Sequence, residues 1–273
     1  MAAACVYPFI NTLAVSLSDG AMAAAGKVYL WPRNFNVESY TYILGNRQIG
    51  VFRGLYNSFI YTFFGTIVAV CATFLGAYCL SRKRFVGRNI FMMGIFFTML
   101  FSGGLIPTYL LMNQLNLLNT VWVIIIPGCI DVFLLIITRT FLDAQPIELE
   151  ECAFMDGAND FKIMYKIFLP LSMPIIATIG VFYAINIWNS YLGPLIYLRD
   201  PAKYPIQVLM AQLVIKGSGG TTTLAAQEQN GYMIYPKNLK AAIIFLGMFP
   251  ILLIYPYAQK YFTKGIMIGA IKG

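Results

Sequence analysis

Long apolar stretches separated by polar segments dominate the chain. Five of them lie at residues 55–80, 89–112, 120–141, 173–198 and 239–257. A helix needs about 20 predominantly apolar residues to cross a bilayer, and all five have that length. A sixth, at residues 2–17, is shorter and contains Pro8, and we expect it to be the second half of a span. The pattern predicts an all-α membrane bundle of about six transmembrane helices in one domain, residues 1–273.

Basic residues in the short loops predict the orientation of these spans. The loop at 81–88 contains Arg82, Lys83, Arg84 and Arg88, whereas the loop at 113–119 contains no basic residue. Cytoplasmic loops carry the excess of lysine and arginine, so the first loop is predicted inside and the second outside. By alternation, residues 146–172, the tail 259–273 and both termini are predicted to be cytoplasmic, and segments 18–54 and 199–238 external.

The composition excludes several classes of function. Hydrophobic residues make up 59% of the chain and charged residues 11%, against about 25% charged residues in soluble domains. There is no histidine, which removes the commonest general base and transition-metal ligand. The five cysteines have no CxxC spacing, so no metal or disulfide framework is expected. The net charge of +8 is attributed to the cytoplasmic loops, and nucleic acid is not an expected partner.

Small residues recur at helical spacing in the span at 55–80, at Gly65, Ala69, Ala72 and Gly76. In lipid, small side chains let helix backbones approach closely. We therefore expect this stripe to pack against neighbouring helices.

The loop at 146–172 is the most unusual polar segment of the chain. Pro146 is followed by three glutamates, a sequence typical of a helix start. Residues 156–159, which include Gly157, predict a break. A second helix is predicted at about 160–168, with Phe161, Met164, Tyr165 and Phe168 on its apolar face, ending near Pro170. Such a segment either anchors the protein at the membrane surface or contacts a partner.

Within this loop, Glu151-Cys152-Ala153, Asp156-Gly157-Ala158 and the later Leu169-Pro170 resemble the EAA loop of ABC-importer permeases. Cys152 stands where that family usually has alanine. Residues 7–18, 102–109, 188–191 and 259–273 are similar to the carbohydrate branch, that is, the MalG-like permeases of the LplC/YtcP type. The chain is identified as a member of this bacterial inner-membrane family on nearly its whole length.

The resemblance implies one permease half of an ATP-driven oligosaccharide importer that works by alternating access. The implied partners are a second related permease subunit, two cytosolic ATPase subunits and a periplasmic or extracellular solute-binding protein. ATP and magnesium would be bound by the ATPase, and this chain would bind no cofactor and catalyse no reaction. The residues implied in ATPase coupling are Glu151, Cys152, Ala153, Asp156, Gly157 and Ala158. The tail residues implied in ATPase contact are Lys264, Gly265 and Lys272.

Candidates for the substrate path are polar or aromatic residues within spans, since such groups tend to face a cavity or the bundle interior. They are Asp131, Asn186, Trp188, Asn189 and Tyr191. Asp131 is equally compatible with a buried structural pairing, and tryptophan and tyrosine also mark the membrane interface. The external segment 199–238 is expected to meet the binding protein, with residues 217–220 as a flexible loop.

Two other classes of function remain open from the residues alone. A stand-alone secondary transporter or channel would need ion ligands or a carboxylate relay, and Asp131 is the one acid well inside a span. An intramembrane enzyme is disfavoured because HExxH, GxSxG and paired intramembrane carboxylates are lacking. Within the importer reading, the LplC-type resemblance favours an acidic oligosaccharide, such as an alginate or pectin fragment.

Overall fold

The computed structural model describes the backbone of residues 2–45, 50–219, 227–229 and 232–270, and the side chains of residues 4–45, 50–213 and 235–254. The first helices are α1 Ala2–Ser16, α2 Gly20–Ala24, α3 Glu38–Gly45, α4 Val51–Ser81, α5 Arg88–Leu100, α6 Leu105–Gln114 and α7 Trp122–Ile125. Those that follow are α8 Val132–Asp143, α9 Glu148–Met155, α10 Asp160–Ile163, α11 Leu169–Leu171, α12 Met173–Asn189, α13 Leu192–Tyr197, α14 Ile206–Gly219 and α15 Pro236–Ala270. The predicted all-α class is confirmed.

Two helices are long and apolar enough to cross a membrane without interruption. They are α4, with a mean hydropathy of 2.0, and the Pro236–Ile254 part of α15, with a mean hydropathy of 1.7. Three further candidates are helix pairs that bend sharply at a short break, and α1 is a shorter apolar helix. The described residues therefore contain two unbroken spans, or up to five if each bent pair is one span.

The predicted span at 89–112 is wrong as a single helix. Helices α5 and α6 meet at an angle of 116°, and the residues between them include Gly104 with φ at +84°. A hydropathy pattern averages over Ser102, Gly103 and Gly104 and does not register that glycine admits this backbone conformation.

The predicted spans at 120–141 and 173–198 are also interrupted. Trp122–Gly128 and Val132–Asp143 meet at 52°, just after Pro127 and Gly128. Helix α12 ends at Asn189, and α13 begins only at Leu192. Proline lacks the amide hydrogen that an α-helix needs in its interior, so the first of these breaks was visible in the sequence.

The chain divides into two compact units. One comprises Met1–Phe59 and Asn189–Ile254, and the other comprises Ile60–Trp188 and Tyr255–Gly273. In the first unit, Ala14, Val15, Ala23, Val28 and Ala241 form a buried apolar cluster. Polar contacts join distant segments of this unit: the Asn238 amide donates to the Ser18 carbonyl at 2.6 Å, and the Asn57 amide donates to the Ala202 carbonyl at 2.9 Å.

In the second unit, the small residues of α4 pack closely against neighbouring helices, as predicted. Ala69 is buried in a cluster with Leu134 of α8 and with Ile175, Ile179 and Tyr183 of α12. A Cβ at Gly65 would lie 2.9 Å from the Ile187 side chain, and one at Gly76 would lie 3.3 Å from Leu135. Larger side chains at these two positions would push the helices apart.

The segment at 199–238, which the charge bias predicts to be external, is more regular than the predicted loop. It contains the 3₁₀ turn Pro201–Lys203, helix α14 and an antiparallel pair of short strands, β1 Gln227–Gln229 and β2 Tyr232–Ile234. The expectation of a flexible loop at 217–220 is wrong for residues 217–219, which end α14, while Gly220 lies outside the described residues.

Candidate functional site

The loop between α8 and α12 forms the predicted helix, turn and second helix. Helix α9 carries Glu148, Glu150 and Glu151 in its first turn, where negative charge stabilises a helix N-terminus. It ends at Met155, and the turn that follows contains Gly157, whose φ of +73° is a left-handed conformation that glycine adopts readily. The Ala158 amide then donates to the Ala153 carbonyl at 3.0 Å, which closes the turn.

The second helix of the loop begins with a side-chain cap and contains a wider turn. The Asn159 side chain accepts a hydrogen bond from the Lys162 amide at 2.9 Å. Residues Met164–Phe168 then form a π-helical turn that leads into α11. Helix Asp160–Leu171 meets α12 at an angle of 77°, and Ser172 at the bend is fully buried.

The apolar face predicted for this second helix is partly wrong. Phe168 is buried, but Phe161 is 77% and Tyr165 is 67% exposed, and Ile163 is the other buried side chain. The prediction assumed a regular helix of 3.6 residues per turn, whereas the π turn at Met164–Phe168 changes the direction of Tyr165 within it. Phe161 precedes this turn and is exposed because Ile163 takes the inward direction of α10.

One face of the loop packs against the ends of α4 and α8 that lie next to it. Ala153, Ile163 and Phe168 share a buried cluster with Phe74, Ala77 and Tyr78 of α4 and Leu142 of α8. The Tyr78 and Phe168 rings make an edge contact, with centroids 5.6 Å apart. This burial fixes the loop to its own chain. It also means that Ala153, predicted to contact a partner, points inward instead.

The opposite face of the loop is exposed, and it carries the other predicted coupling residues. Glu151, Cys152, Asp156 and Gly157 are exposed, and Ala158 is half-buried. A Cβ at Gly157 would meet nothing within 4 Å, so the backbone there is open to close approach. Met155 lies beside them with 89% of its surface exposed. Met155, Phe161 and Tyr165 give this polar face an apolar component that the sequence reading did not identify.

Two arginines that follow α4 bind acidic residues of the loop. Arg82 Nη1 lies 2.6 Å from Glu150 Oε2, and both side chains are only 12% exposed. Arg84 Nη2 lies 3.1 Å from Glu150 Oε1 and 2.5 Å from Asp160 Oδ1. The Arg82 guanidinium also lies over the Tyr78 and Phe168 rings, at 4.9 and 4.2 Å from their centroids.

Beside this network lies a cavity of about 240 Å³, bounded by the start of α9 and the residues that follow α4. The side chains that line it include positively and negatively charged ones, among them Lys83, Arg84, Asp143 and Glu151. Within the side chains that the structure describes, no group of three or more histidine, cysteine, aspartate or glutamate residues could hold a metal ion.

The sequence analysis used these charges to predict the orientation of the spans and the start of a helix. It did not predict that the basic and acidic residues pair with each other. The signal was present, because the basic loop at 81–88 and the acidic loop at 146–172 were predicted on the same side of the membrane. Opposite charges on two neighbouring loops are expected to pair.

Asp131, a candidate for the substrate path, has a structural role at the break before α8. Its carboxylate accepts a hydrogen bond from the Leu134 amide at 3.0 Å and so caps α8. Its own amide donates to the Tyr183 hydroxyl at 2.8 Å, and that hydroxyl lies 2.6 Å from Thr73 Oγ1. The residue is half-buried, its carboxylate binds α8, and the backbone amide of Asp131 and the Tyr183 hydroxyl link the break to α12 and α4.

The other candidate residues for the substrate path differ in the exposure of their side chains. Trp188 is buried, whereas Asn186, Asn189 and Tyr191 are exposed. Lys264 and Gly265 lie in the helical backbone of α15, but the Lys264 side chain and the whole of Lys272 lie outside the described residues. The coupling residues thus lie on one loop, whereas the path candidates range from buried Trp188 to exposed Asn186.

Comparison with known proteins agrees with the resemblance of the loop. The chain is 42% identical over 269 residues to the polygalacturonan/rhamnogalacturonan transport system permease protein YtcP of Bacillus subtilis, covering 98% of this chain and 93% of that protein. It is 39% identical over 273 residues to the protein LplC of the same organism, with 98% and 90% covered.

A solved structure shares the fold over nearly the whole chain. It is the crystal structure of a bacterial ABC transporter involved in the import of the acidic polysaccharide alginate, with a TM-score of 0.88 and 32% identity. The match covers 96% of this chain and 92% of that one. The family model for the inner membrane component of binding-protein-dependent transport systems matches residues 41–268. The chain belongs to this family of ABC transporter permeases.

Proposed function

We propose that this chain is one permease half of an ATP-driven importer of acidic oligosaccharides, with pectin or alginate fragments as the substrate class. The observation that carries the proposal is the full-length similarity to two transporters of such material, the polygalacturonan/rhamnogalacturonan permease and the alginate importer. A binding-protein-dependent component works with other subunits, which disfavours the stand-alone transporter that the residues left open.

The loop at 146–172 supplies the proposed contact with a cytosolic ATPase. Its exposed face combines Met155 and Phe161 with the acidic Glu151 and Asp156 around the open backbone of Gly157. Large exposed apolar side chains ringed by charge are typical of an interface core and rim. In this arrangement the loop lies in the cytoplasm, as its neighbour 81–88 with four basic residues predicts.

The proposed role as a permease half also implies the other subunits of the transporter. A second, related permease would complete the translocation path, two ATPases would bind ATP and magnesium, and an external binding protein would deliver the sugar. The tail residues Lys264, Gly265 and Lys272 would extend the ATPase contact. The likeness to the alginate importer over 96% of the chain supports this arrangement.

The substrate class is tested by uptake in a strain that lacks this chain and in the same strain complemented with it. The probes are labelled oligogalacturonides and alginate oligomers, with a neutral arabino-oligosaccharide of matched length as control. We expect the acidic oligomers alone to depend on the chain. Dependence of the neutral oligomer alone would overturn the substrate class but not the importer assignment.

A further inference from the structure

The coupling loop has three connections to the membrane helices, and only one of them reaches an unbroken span. Residues 144–147 join the loop to α8, and the bend at Ser172, with its angle of 77°, joins it to α12. The third connection is made by side chains. It joins the loop to the cytoplasmic end of α4, a continuous helix of 31 residues, through the buried cluster that contains Ile163 and Phe168 and through Arg82.

Arg82 is held on several sides at this position. Its guanidinium lies over both the Tyr78 ring of α4 and the Phe168 ring of the loop, where cation–π attraction favours the flat group. It binds Glu150 of α9 at 2.6 Å and donates to Ser81 Oγ at 3.0 Å and to the Leu142 carbonyl at 3.4 Å. One side chain thus touches α4, α8, α9 and the π turn.

The Arg82–Glu150 pair is costly to break because it is shielded from water, with both side chains only 12% exposed. Removing Glu150 would leave the mostly buried Arg82 without its carboxylate partner, whereas removing Arg82 would leave Glu150 with Arg84 at 3.1 Å. The Arg84 pair with Asp160 is 55% and 63% exposed, so water screens it and its contribution is smaller. Arg84 nevertheless bridges α9 and α10 across the Gly157 turn and lies 4.0 Å from the Phe154 ring.

We propose that Arg82 is a positioning residue that makes the coupling loop and the cytoplasmic end of α4 move as one body, with Arg84 holding the two loop helices together. The proposal rests on the proposed function, because the loop is moved by an ATPase only if it docks there. Without Arg82, only the apolar cluster and Arg84 join the loop to the end of α4, so the two move together less completely and more ATP is hydrolysed per sugar transported.

The first experiment measures coupling in the complete transporter, reconstituted in proteoliposomes with its binding protein and supplied with oligogalacturonide. The variants are Arg82→Gln, Glu150→Gln and the double variant, and the matched control is Lys83→Gln. Lys83 is an exposed cation of the same loop, and it makes no ion pair among the side chains that the structure describes.

We expect uptake per ATP hydrolysed to fall by about tenfold in either single variant, and the double variant to be no worse than the single ones, since partners in one pair are not additive. ATP hydrolysis should persist, and Lys83→Gln should remain coupled. Arg82→Lys keeps the charge but not the planar stacking, so it should restore coupling only in part. Normal coupling in Arg82→Gln and Glu150→Gln would overturn the proposal.

A second measurement reports the movement itself and applies even if Arg82→Gln assembles poorly. Spin labels are placed at exposed Cys79 of α4 and at Lys166→Cys of the loop, with the other four cysteines replaced by serine. The distance between the labels is compared without nucleotide and with MgATP and vanadate. We expect the same narrow distance in both states, and a broad distribution in Glu150→Gln. A distance that changes between the states in the unmutated pair would contradict the proposal.

Failure of the positioning role is distinguishable from failure of the proposed function. If Gly157→Asp uncouples transport and the Arg82 variants do not, the loop is the docking site and the Arg82 link is not required. If Gly157→Asp also leaves transport normal, docking of the loop is itself wrong.

Discussion

The coupling loop and the candidate substrate path are built differently. In the loop, buried Ile163 and Phe168 pack on α4, and ion pairs from Arg82 and Arg84 fix the two loop helices. Among the path candidates, Asp131 caps a helix and Trp188 is buried, whereas Asn186 is exposed. The loop is thus attached by contacts within this chain. By contrast, the proposed function implies that a second permease would supply the opposite wall of the path.

The largest expected effect comes from removing the exposed apolar residues of the loop. Met155→Ser with Phe161→Ser should weaken association with the ATPase by about 2 kcal/mol or more, or about thirtyfold in Kd, if these residues are the centre of the interface. The measurement is co-purification and titration of the ATPase against the permease in detergent.

The matched control for this pair is Val86→Ser, because Val86 is 91% exposed on the neighbouring loop. Equal binding by the control and by the double variant would place the interface elsewhere. A loss of helical content in the double variant would show that the two side chains stabilise the fold, which their exposure argues against.

A side chain at Gly157 should have the next largest effect. Gly157→Asp is expected to reduce uptake by about tenfold, the effect of losing about 1.4 kcal/mol of docking energy, while the protein still inserts. The variant meets no steric obstacle within the described chain, so the effect must come from φ strain or from the partner.

Gly157→Ala and Gly157→Asn separate these two causes. Asparagine tolerates the left-handed region better than alanine does, so it should cost less thermal stability. If both variants lose uptake equally, contact with the partner decides the effect. If asparagine restores uptake, backbone strain decides it, and Gly157 is a turn residue only.

Asp131 should show a moderate effect on stability and little effect on transport. Asp131→Ala removes the cap of α8 and should cost about 1 kcal/mol, seen as a lower Tm of the purified protein. Asp131→Asn keeps a capping oxygen and should restore the Tm. A loss of uptake in Asp131→Asn at normal Tm would instead give the negative charge a direct role in the path.

The smallest effect is expected at the exposed residues among the candidates for the substrate path. Asn186→Ala should change the KM for oligogalacturonide uptake by less than about threefold, because one exposed amide contributes about 0.5 kcal/mol in a wet cavity. A tenfold change would show that this chain alone forms a substantial part of the sugar site.

The sequence predicted the class, the two unbroken spans, and the helix, turn and second helix of the loop, because apolar length and Gly157 are local signals. It did not predict the breaks at Gly104 and after Asn189, since hydropathy is insensitive to backbone direction. It placed Tyr165 on the apolar face because the π turn depends on packing rather than on residue type. The inward orientation of Ala153 likewise depends on the helices that the loop packs against.

The central claim is that this chain couples to a separate ATPase through the loop at 146–172. Its most direct test is gentle affinity purification of the chain from its native membrane, with mass spectrometry of what accompanies it, for the unmodified chain and for Met155→Ser with Phe161→Ser. We predict a second permease, an ATPase and a sugar-binding protein with the unmodified chain, and the second permease without the ATPase in the double variant. Purification of the unmodified chain alone or as a homo-oligomer, with no ATPase under any detergent condition, would contradict the account.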